Sequence, residues 1–201
     1  MGTRGLYGFR KNGVDKLTYN HYDSYPEGLG RDIVEFIRKH TIKELNNIYD
    51  KIIMVDGEST PTEEQIKECE KYADLGVSKQ SLTDWYCLVR NSQGDLSCYA
   101  DGLKYMIDNH NFILDSLFCE YAYIINLDTN KLEYYLGFQK QLDETNRYVL
   151  DTINEEFPYY PCRMVAEYDL DEITECTMTD ILQDMNTKVD EEYKNDDWNL
   201  G

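Results

Sequence analysis

Residues 120–137 read EYAYIINLDTNKLEYYLG and contain the clearest structural signal in this sequence. Two runs rich in tyrosine, isoleucine and leucine, which favour β-strands, flank the polar segment 128–131. Aspartate and asparagine suit a tight turn because their side chains bond to nearby backbone groups. The stretch therefore predicts a β-hairpin.

The N-terminal region predicts a second hairpin. Asn12-Gly13 is a strong turn signal because both residues tolerate a positive φ. The flanking segments, Leu6–Arg10 and Asp15–His21, mix large and polar residues as strands do. A loop is expected over Tyr22–Leu29, because its proline lacks a backbone donor and its glycine favours a turn.

Apolar periodicity and capping signals predict helices in the rest of the chain. The pattern Thr41-x-x-Glu44 is typical of a capping box at a helix start. Residues 139–156 fit either a helix or a return loop. The predicted helices cover 31–40, 42–49, 60–74, 81–90, most of 96–117 and 177–186, and a further strand covers 163–170.

These elements predict an α+β fold, with a mixed or antiparallel sheet of about five strands packed by helices. A chain of 201 residues with 41% hydrophobic residues can bury a substantial core, so a wholly disordered protein is excluded. We expect a single domain over residues 1–188 and an acidic C-terminal tail over 189–201, with fraying from Asp190 onward.

The net charge of the chain limits the classes of partner that it can bind. The chain has 39 acidic and 20 basic residues, a formal net charge of -19, so it repels phosphate backbones and anionic membrane surfaces. No apolar run approaches the roughly 20 residues that span a bilayer, and the first 25 residues lack the apolar core of a signal peptide. A cytoplasmic protein without direct nucleic-acid or membrane partners is expected.

The acidic residues are concentrated toward the C-terminus. Residues 143–201 contain 17 acidic and four basic residues, whereas residues 1–40 contain five acidic and seven basic ones. One interpretation is a solvated face that keeps the protein soluble. The other is a surface that docks a basic protein partner in place of its phosphate ligand. The candidate partner-binding residues are Asp169, Asp171, Glu172 and Glu175.

Few residues suggest covalent or metal chemistry. The six cysteines have no paired metal-ligand spacing, so we expect reduced thiols that mostly behave as small core residues. The nearly consecutive His21, Asp23 and Ser24 do not have the arrangement of a catalytic triad. The sequence contains no phosphate-binding loop or dinucleotide fingerprint, and we predict neither a metal nor a cofactor.

Three motifs resemble a family of uncharacterised phage and fungal proteins. They are MGTRG at residues 1–5, YNHYDSYPEGLG at residues 19–30 and YIINLD at residues 123–128. Asn126 stands where that family usually has an acidic residue. The resemblance covers about 45 residues and implies a phage origin, but it does not imply an activity.

The order of elements is also similar to that of N-terminal-nucleophile hydrolases. In those enzymes a first-residue threonine, serine or cysteine attacks the substrate and its own α-amine acts as the base. Transferred here, Thr3 would be the nucleophile, Arg4 an electrostatic partner, and Asn20, His21 and Asp23 supporting groups. This alternative requires processing, because Met1 and Gly2 precede Thr3.

The loop that follows the first hairpin has two further interpretations. It could be purely structural, with Asp23 and Ser24 bonding to loop backbone. It could instead bind a small anion such as a nucleotide, as firmly held polar loops often bind ligands. The candidate ligand-binding residues are Arg4, Tyr19, Asn20, His21, Asp23, Ser24 and Tyr25.

Together these observations favour a non-enzymatic interaction protein over an enzyme. The resemblance suggests a phage-encoded inhibitor, and the charge suggests a basic host target such as a nuclease or another nucleic-acid-binding defence factor. The amidohydrolase with Thr3 as nucleophile and the anionic-ligand binder are the alternatives. The oligomeric state is left open.

Overall fold

The computed structural model of the protein describes residues 3–149 and 159–194. About 40% of the described residues are helical and 21% are in strands. The described strands are β1 (Gly5–Lys11), β2 (Val14–Asn20), β3 (Ile53–Val55), β4 (Tyr105–Ile107), β5 (Tyr121–Asn126), β6 (Lys131–Leu136) and β7 (Arg163–Asp169).

Five of these strands form a mixed sheet in the order β2-β1-β5-β6-β7. The two predicted hairpins, β1–β2 and β5–β6, are both present, and β7 adds to β6 in antiparallel orientation. The hairpins join through parallel pairing of β1 with β5. With helices packed on this sheet, the predicted α+β fold is confirmed.

The turns of the two hairpins also bind each other. Asn12 and Gly13 both have positive φ, 53° and 72°, as the Asn-Gly signal predicts. Their backbone N–H groups donate to the carboxylate of Asp128 in the other turn, at 2.6 Å and 2.9 Å. These charge-assisted bonds lower the pKa of Asp128.

Helices cover one face of the sheet. Thr41 and Thr62 each start a helix with a complete capping box, with Glu44 and Gln65 respectively. The described α-helices are α1 (Arg31–Arg38), α2 (Ile42–Lys51), α3 (Glu63–Cys69), α4 (Trp85–Leu88), α5 (Ser97–Ala100), α6 (Leu170–Glu175) and α7 (Met178–Lys194).

Each face of the sheet has its own core. Alternate residues of β1, such as Tyr7 and Phe9, face the helices and join the larger cluster of buried side chains. The intervening residues, such as Leu6, face a smaller cluster formed with Cys119 and Cys162. The six cysteines are unpaired, and five are buried while Cys176 is exposed.

A buried carboxylate organises the second face. Glu133 on β6 is only 2% exposed and accepts hydrogen bonds from Asn126 (2.7 Å), Tyr135 (3.0 Å) and Arg147 (2.8 Å). Burial opposes ionisation of this carboxyl, but the bonds from Arg147 and Asn126 outweigh it and lower its pKa. Arg147 thereby fixes the irregular segment that follows β6 against the sheet.

One predicted helix is wrong. Residues 96–117 contain only the four-residue α5, the short strand β4 and a 3-10 turn at His110–Leu114. Strand β4 pairs with β3 in a small parallel sheet. The apolar residues of this region are irregularly spaced because they pack around that sheet and not along one helix face.

Other helix predictions differ in length. The helix expected over 81–90 is shortened to α4. Of the two alternatives for 139–156, the described part, 139–149, is a return segment. The last helix extends to Lys194, so the expected domain boundary at residue 188 falls inside α7 and the first residues of the expected tail are helical. The remainder of both predicted stretches, at 150–156 and 195–201, lies outside the described residues.

Across residues 3–149 and 159–194, none of the helices has the length and apolar character that crossing a membrane requires.

A substitution at Gly8 tests the close packing of β1 against β2 in the first hairpin. It has φ 150°, and a Cβ there would lie 2.1 Å from the carbonyl oxygen of Lys16. We expect Gly8→Ala to lower the free energy of unfolding by roughly 3 kcal/mol or more, because strain and overlap act together. Urea denaturation of the purified variant measures this loss.

Gly102→Ala is the matched control. Gly102 has φ 109°, but no atom lies within 4 Å of its added Cβ. Strain alone should then cost roughly 1 kcal/mol. Equal losses in the two variants would contradict the packing described for β1 and β2.

Candidate functional site

The loop after β2 is held from within by its own polar side chains. Ser24 is fully buried, and its backbone N–H donates to Thr3 Oγ1 at 2.9 Å. Asn20 Nδ2 donates to Ser24 Oγ at 2.9 Å, and the Tyr123 hydroxyl donates to the Ser24 carbonyl at 3.0 Å. These bonds fasten the first described residues to the loop.

Backbone geometry gives the same loop its sharp turn. Asp23 has φ 53°, and its carbonyl accepts from the Leu29 N–H at 2.8 Å. A Cβ on Gly28 would lie 2.0 Å from that carbonyl oxygen, so only glycine fits there. Within this turn, the polar groups of Asn20 and Ser24 are used in hydrogen bonds that hold the loop.

His21 belongs to a different set of contacts. Its Nδ1 lies 2.7 Å from the Tyr19 hydroxyl, and its backbone N–H donates to Gln93 Oε1 at 3.2 Å. Arg90 Nη1 donates to the same Gln93 oxygen at 2.6 Å. The ring of Tyr22 packs edge-on against His21 and lies beneath the Arg90 guanidinium.

Two arginines give this region a local positive charge. Arg4 lies over the ring of Phe118, 4.8 Å from its centroid, and Arg90 lies 5.7 Å from the centroid of Tyr86. Within the described ranges, neither guanidinium has a carboxylate within 4 Å. Burial raises the pKa of Tyr19, while the charges of Arg4 and Arg90 oppose that rise.

The residues proposed for N-terminal-nucleophile chemistry divide between these two sets. Thr3 and Asn20 lie with Ser24, whereas Arg4 and His21 lie with Tyr19. Thr3 Oγ1 already accepts the Ser24 N–H, and its described contacts include neither His21 nor Asp23. The hydrolase alternative stays a prediction.

The residues proposed for ligand binding divide in the same way. Asp23 and Tyr25 are exposed and, together with Asn20, line a depression beside α1 that Arg90 and Gln93 also line. Three acidic side chains of the loop and α1, Glu27, Asp32 and Glu35, also line it. Arg90 and Lys39 line it as well, but the acids outnumber these cations, which disfavours an anion there.

The four acidic candidates lie together where β7 ends and α6 begins. Asp169 is the residue before α6, and Asp171 and Glu172 lie in its first turn. A negative charge there interacts favourably with the helix dipole. Glu175 ends the same helix. All four are exposed, and we call them the acidic α6 surface.

This surface is mounted on a fixed helix. Leu170 and Ile173 are buried in the core. Arg38 of α1 donates through Nε to the Ile173 carbonyl at 2.9 Å and through Nη2 to the Cys176 carbonyl. The guanidinium thus satisfies backbone acceptors at the end of α6 and leaves its carboxylates untouched.

Neither a metal centre nor a related protein gives a further indication. Over 3–149 and 159–194, no three His, Cys, Asp or Glu side chains are grouped to hold a metal ion. No family model, curated protein or solved structure matches the chain. Geometry and charge are therefore the indications of function that this protein offers.

Three contributors to the His21 region were missed by sequence reasoning. Tyr86, Arg90 and Gln93 lie in a segment of short helical turns with little regular periodicity. Gln93 and His21 are 72 positions apart in sequence. No spacing rule relates residues so distant, so only the fold brings them together.

The protonation of His21 is a direct measure of this geometry. Burial and the charges of Arg90 and Arg4 lower its pKa below the ordinary value of 6.5. We expect its ring to titrate below 6.5 in an NMR pH titration, and Arg90→Gln to move the midpoint upward. The stabilising contribution of the neutral ring is present above pH 6.5 and is lost as pH falls.

Arg31→Gln is the control for that titration. It removes the same charge from an exposed arginine whose Nε bonds to the Glu27 carbonyl. The His21 midpoint should not change in this variant. A His21 midpoint at or above 6.5 in the wild type, or one insensitive to Arg90→Gln, would contradict the placement of Arg90.

Proposed function

We propose that this protein is a non-enzymatic interaction protein that docks a basic protein through the acidic α6 surface. The phage resemblance of its motifs suggests the role of an inhibitor of a host nucleic-acid-handling or defence factor in the host cytoplasm. The two alternatives, an amidohydrolase and an anionic-ligand binder, would instead use Thr3 and the loop after β2.

The observation that carries the proposal is the lack of internal partners for these acids. None of the four carboxylates accepts a hydrogen bond or forms an ion pair with a described residue. Ion pairs elsewhere in the protein neutralise acids such as Asp15 and Glu133. Unpaired carboxylates keep their field available to an approaching cation.

The surrounding sequence does not neutralise this field. Residues 159–194 include ten acidic and three basic residues. Two of the three bases are already paired, Arg163 with Glu192 and Lys188 with Glu191. The acidic α6 surface therefore lies in a region of net negative charge.

Positively charged side chains of α1, of α2 and of the turn between them border the acidic α6 surface on one side. A groove between these helices and α6 is lined by Arg38, Lys39 and Lys43 together with Asp171 and Thr174. The docking face therefore extends from α6 toward β7 and α7 and not toward α1. A boundary of opposite charge favours one orientation of a basic partner over others.

Occlusion is the mechanism that this charge pattern supports. A nuclease or nucleic-acid-binding protein presents a basic surface that attracts phosphates. Carboxylates fixed on a folded helix attract the same cations and, once bound, block access to nucleic acid. Attraction between opposite charges also speeds encounter at low ionic strength.

Charge reversal of the surface tests the proposal. We expect the quadruple variant Asp169→Lys, Asp171→Lys, Glu172→Lys and Glu175→Lys to lose the basic partner. The bait is the full-length protein in bacterial lysate, eluted in salt steps and analysed by mass spectrometry. For the recovered partner, the affinity should fall by about tenfold or more, with a flatter dependence on salt.

A second quadruple reversal is the matched control. It changes Glu63, Glu64, Glu70 and Asp101, which are exposed and include two acids in the first turn of α3. The net charge changes equally, so retention of the partner would localise the effect to α6. Equal binding by all three proteins, or recovery of no basic protein by the wild type, would contradict the proposal.

A further inference from the structure

A cavity of about 310 Å³ lies between β2 and the segment that contains α4. Its polar lining includes Tyr19 and Asn109 on the side of β2, and Tyr86, Gln93 and Lys79 on the other side. This volume is at the lower end of the range for small-molecule sites, about 300–1,000 Å³. The cavity is separate from the acidic α6 surface.

Two side-chain amides in the lining are held in fixed orientations. Asn109 Oδ1 accepts from the Tyr19 backbone N–H at 3.1 Å and from Thr18 Oγ1 at 3.4 Å. Gln93 Oε1 accepts from the His21 N–H at 3.2 Å and from Arg90 Nη1 at 2.6 Å. Because donors hold both oxygens, each NH2 group must point the other way.

Both NH2 groups are free to bind a ligand. Neither Asn109 Nδ2 nor Gln93 Nε2 donates to any atom of the described residues. The only described side-chain polar atom that is buried without a partner is the Tyr134 hydroxyl oxygen. The two NH2 groups are therefore accessible, on residues that line the same cavity.

The charges near the cavity favour a ligand with acceptor atoms. Lys79 lines the cavity and has only a long contact of 3.9 Å with Glu58, a highly exposed acid that also lines it. Arg90 is not part of the lining but bonds to Gln93, and no carboxylate of the described residues lies within 4 Å of its guanidinium. Asp84, the buried acid of the lining, already accepts from the Lys79 backbone N–H at 3.3 Å. The buried acid is thus already bonded, whereas the NH2 groups of Gln93 and Asn109 have no partner among the described residues.

The cavity also offers flat apolar walls. The rings of Tyr19 and Tyr86 both line it, and both are half-buried. Aromatic rings pack well against a planar organic group, and a tyrosine hydroxyl adds a polar contact at the edge. An inorganic ion would leave these walls unused.

We propose that this cavity binds a small organic anion of the size of a nucleoside monophosphate, whose oxygens accept from the NH2 groups of Gln93 and Asn109. Lys79 of the lining and Arg90, which bonds to Gln93 from outside the lining, supply the positive charge. In a protein of net charge -19, such local cations are needed before any anion can bind. This site does not depend on the acidic α6 surface, so either proposal can fail without the other.

Thermal unfolding with defined probes tests the site. The probes are the monophosphates of uridine, cytidine, adenosine and guanosine, together with citrate and inorganic phosphate. We expect at least one nucleoside monophosphate to raise the unfolding midpoint of the full-length protein, because binding to the native state stabilises it. Isothermal titration calorimetry then gives the dissociation constant.

Gln93→Glu removes the donor without removing the structural acceptor. A glutamate oxygen still accepts from the His21 N–H and from Arg90, while the NH2 group is replaced by a negatively charged oxygen. We expect the dissociation constant to rise at least about tenfold. Asn109→Asp is the equivalent change at the other amide and should have the same effect.

Gln65→Glu is the control variant. Gln65 also uses its Oε1 as an acceptor, in the capping box of α3, and the substitution adds the same charge outside the cavity. Its dissociation constant should match that of the wild type. The proposal is overturned if no organic probe stabilises the protein, if inorganic phosphate binds as tightly as the nucleotides, or if neither amide variant weakens binding.

Discussion

The parallel pairing of β1 with β5 is the constraint on which the rest of the structure depends. Two antiparallel hairpins become one sheet only because these strands lie side by side. Parallel neighbours cannot be joined by a tight turn, so the chain must cross from β2 to β5 over residues 21–120. That crossover provides α1 to α5 and the small second sheet, and it also brings Gln93 and Asn109 to the edge of β2.

The crossover also protects the edge of the sheet. Strand β2 would otherwise present unpaired backbone groups to solvent. Instead, the Asn109 N–H donates to the Leu17 carbonyl at 3.0 Å, and the Asn109 side chain accepts from Tyr19. The same residue therefore closes the edge and leaves one NH2 group directed away from it. On the far side of the sheet, the bonds of Arg147 to Glu133 fix another irregular segment in a similar way.

Local signals made the hairpins and capped helices predictable from sequence. Asn12-Gly13 and the Thr41 capping box are determined by neighbouring residues, and both form as expected. The region 96–117 was predicted wrongly because its three-residue strand is stabilised by a partner some fifty positions away. The cavity between β2 and the segment that contains α4 likewise depends on contacts between residues that are far apart in the sequence. Arg90 and Gln93 carried no motif, and the loop residues that did, such as Ser24, are used to hold the chain together.

The assignment of Gln93 and Asn109 as ligand-facing donors can be observed directly by NMR. The measurement follows the side-chain NH2 signals of both residues while uridine or adenosine monophosphate is added to the labelled full-length protein. We predict that both pairs of signals shift together and saturate, while the backbone signals of α6 do not move. Shifts confined to α6 or to residues 22–30, with the two NH2 pairs unchanged, would contradict it.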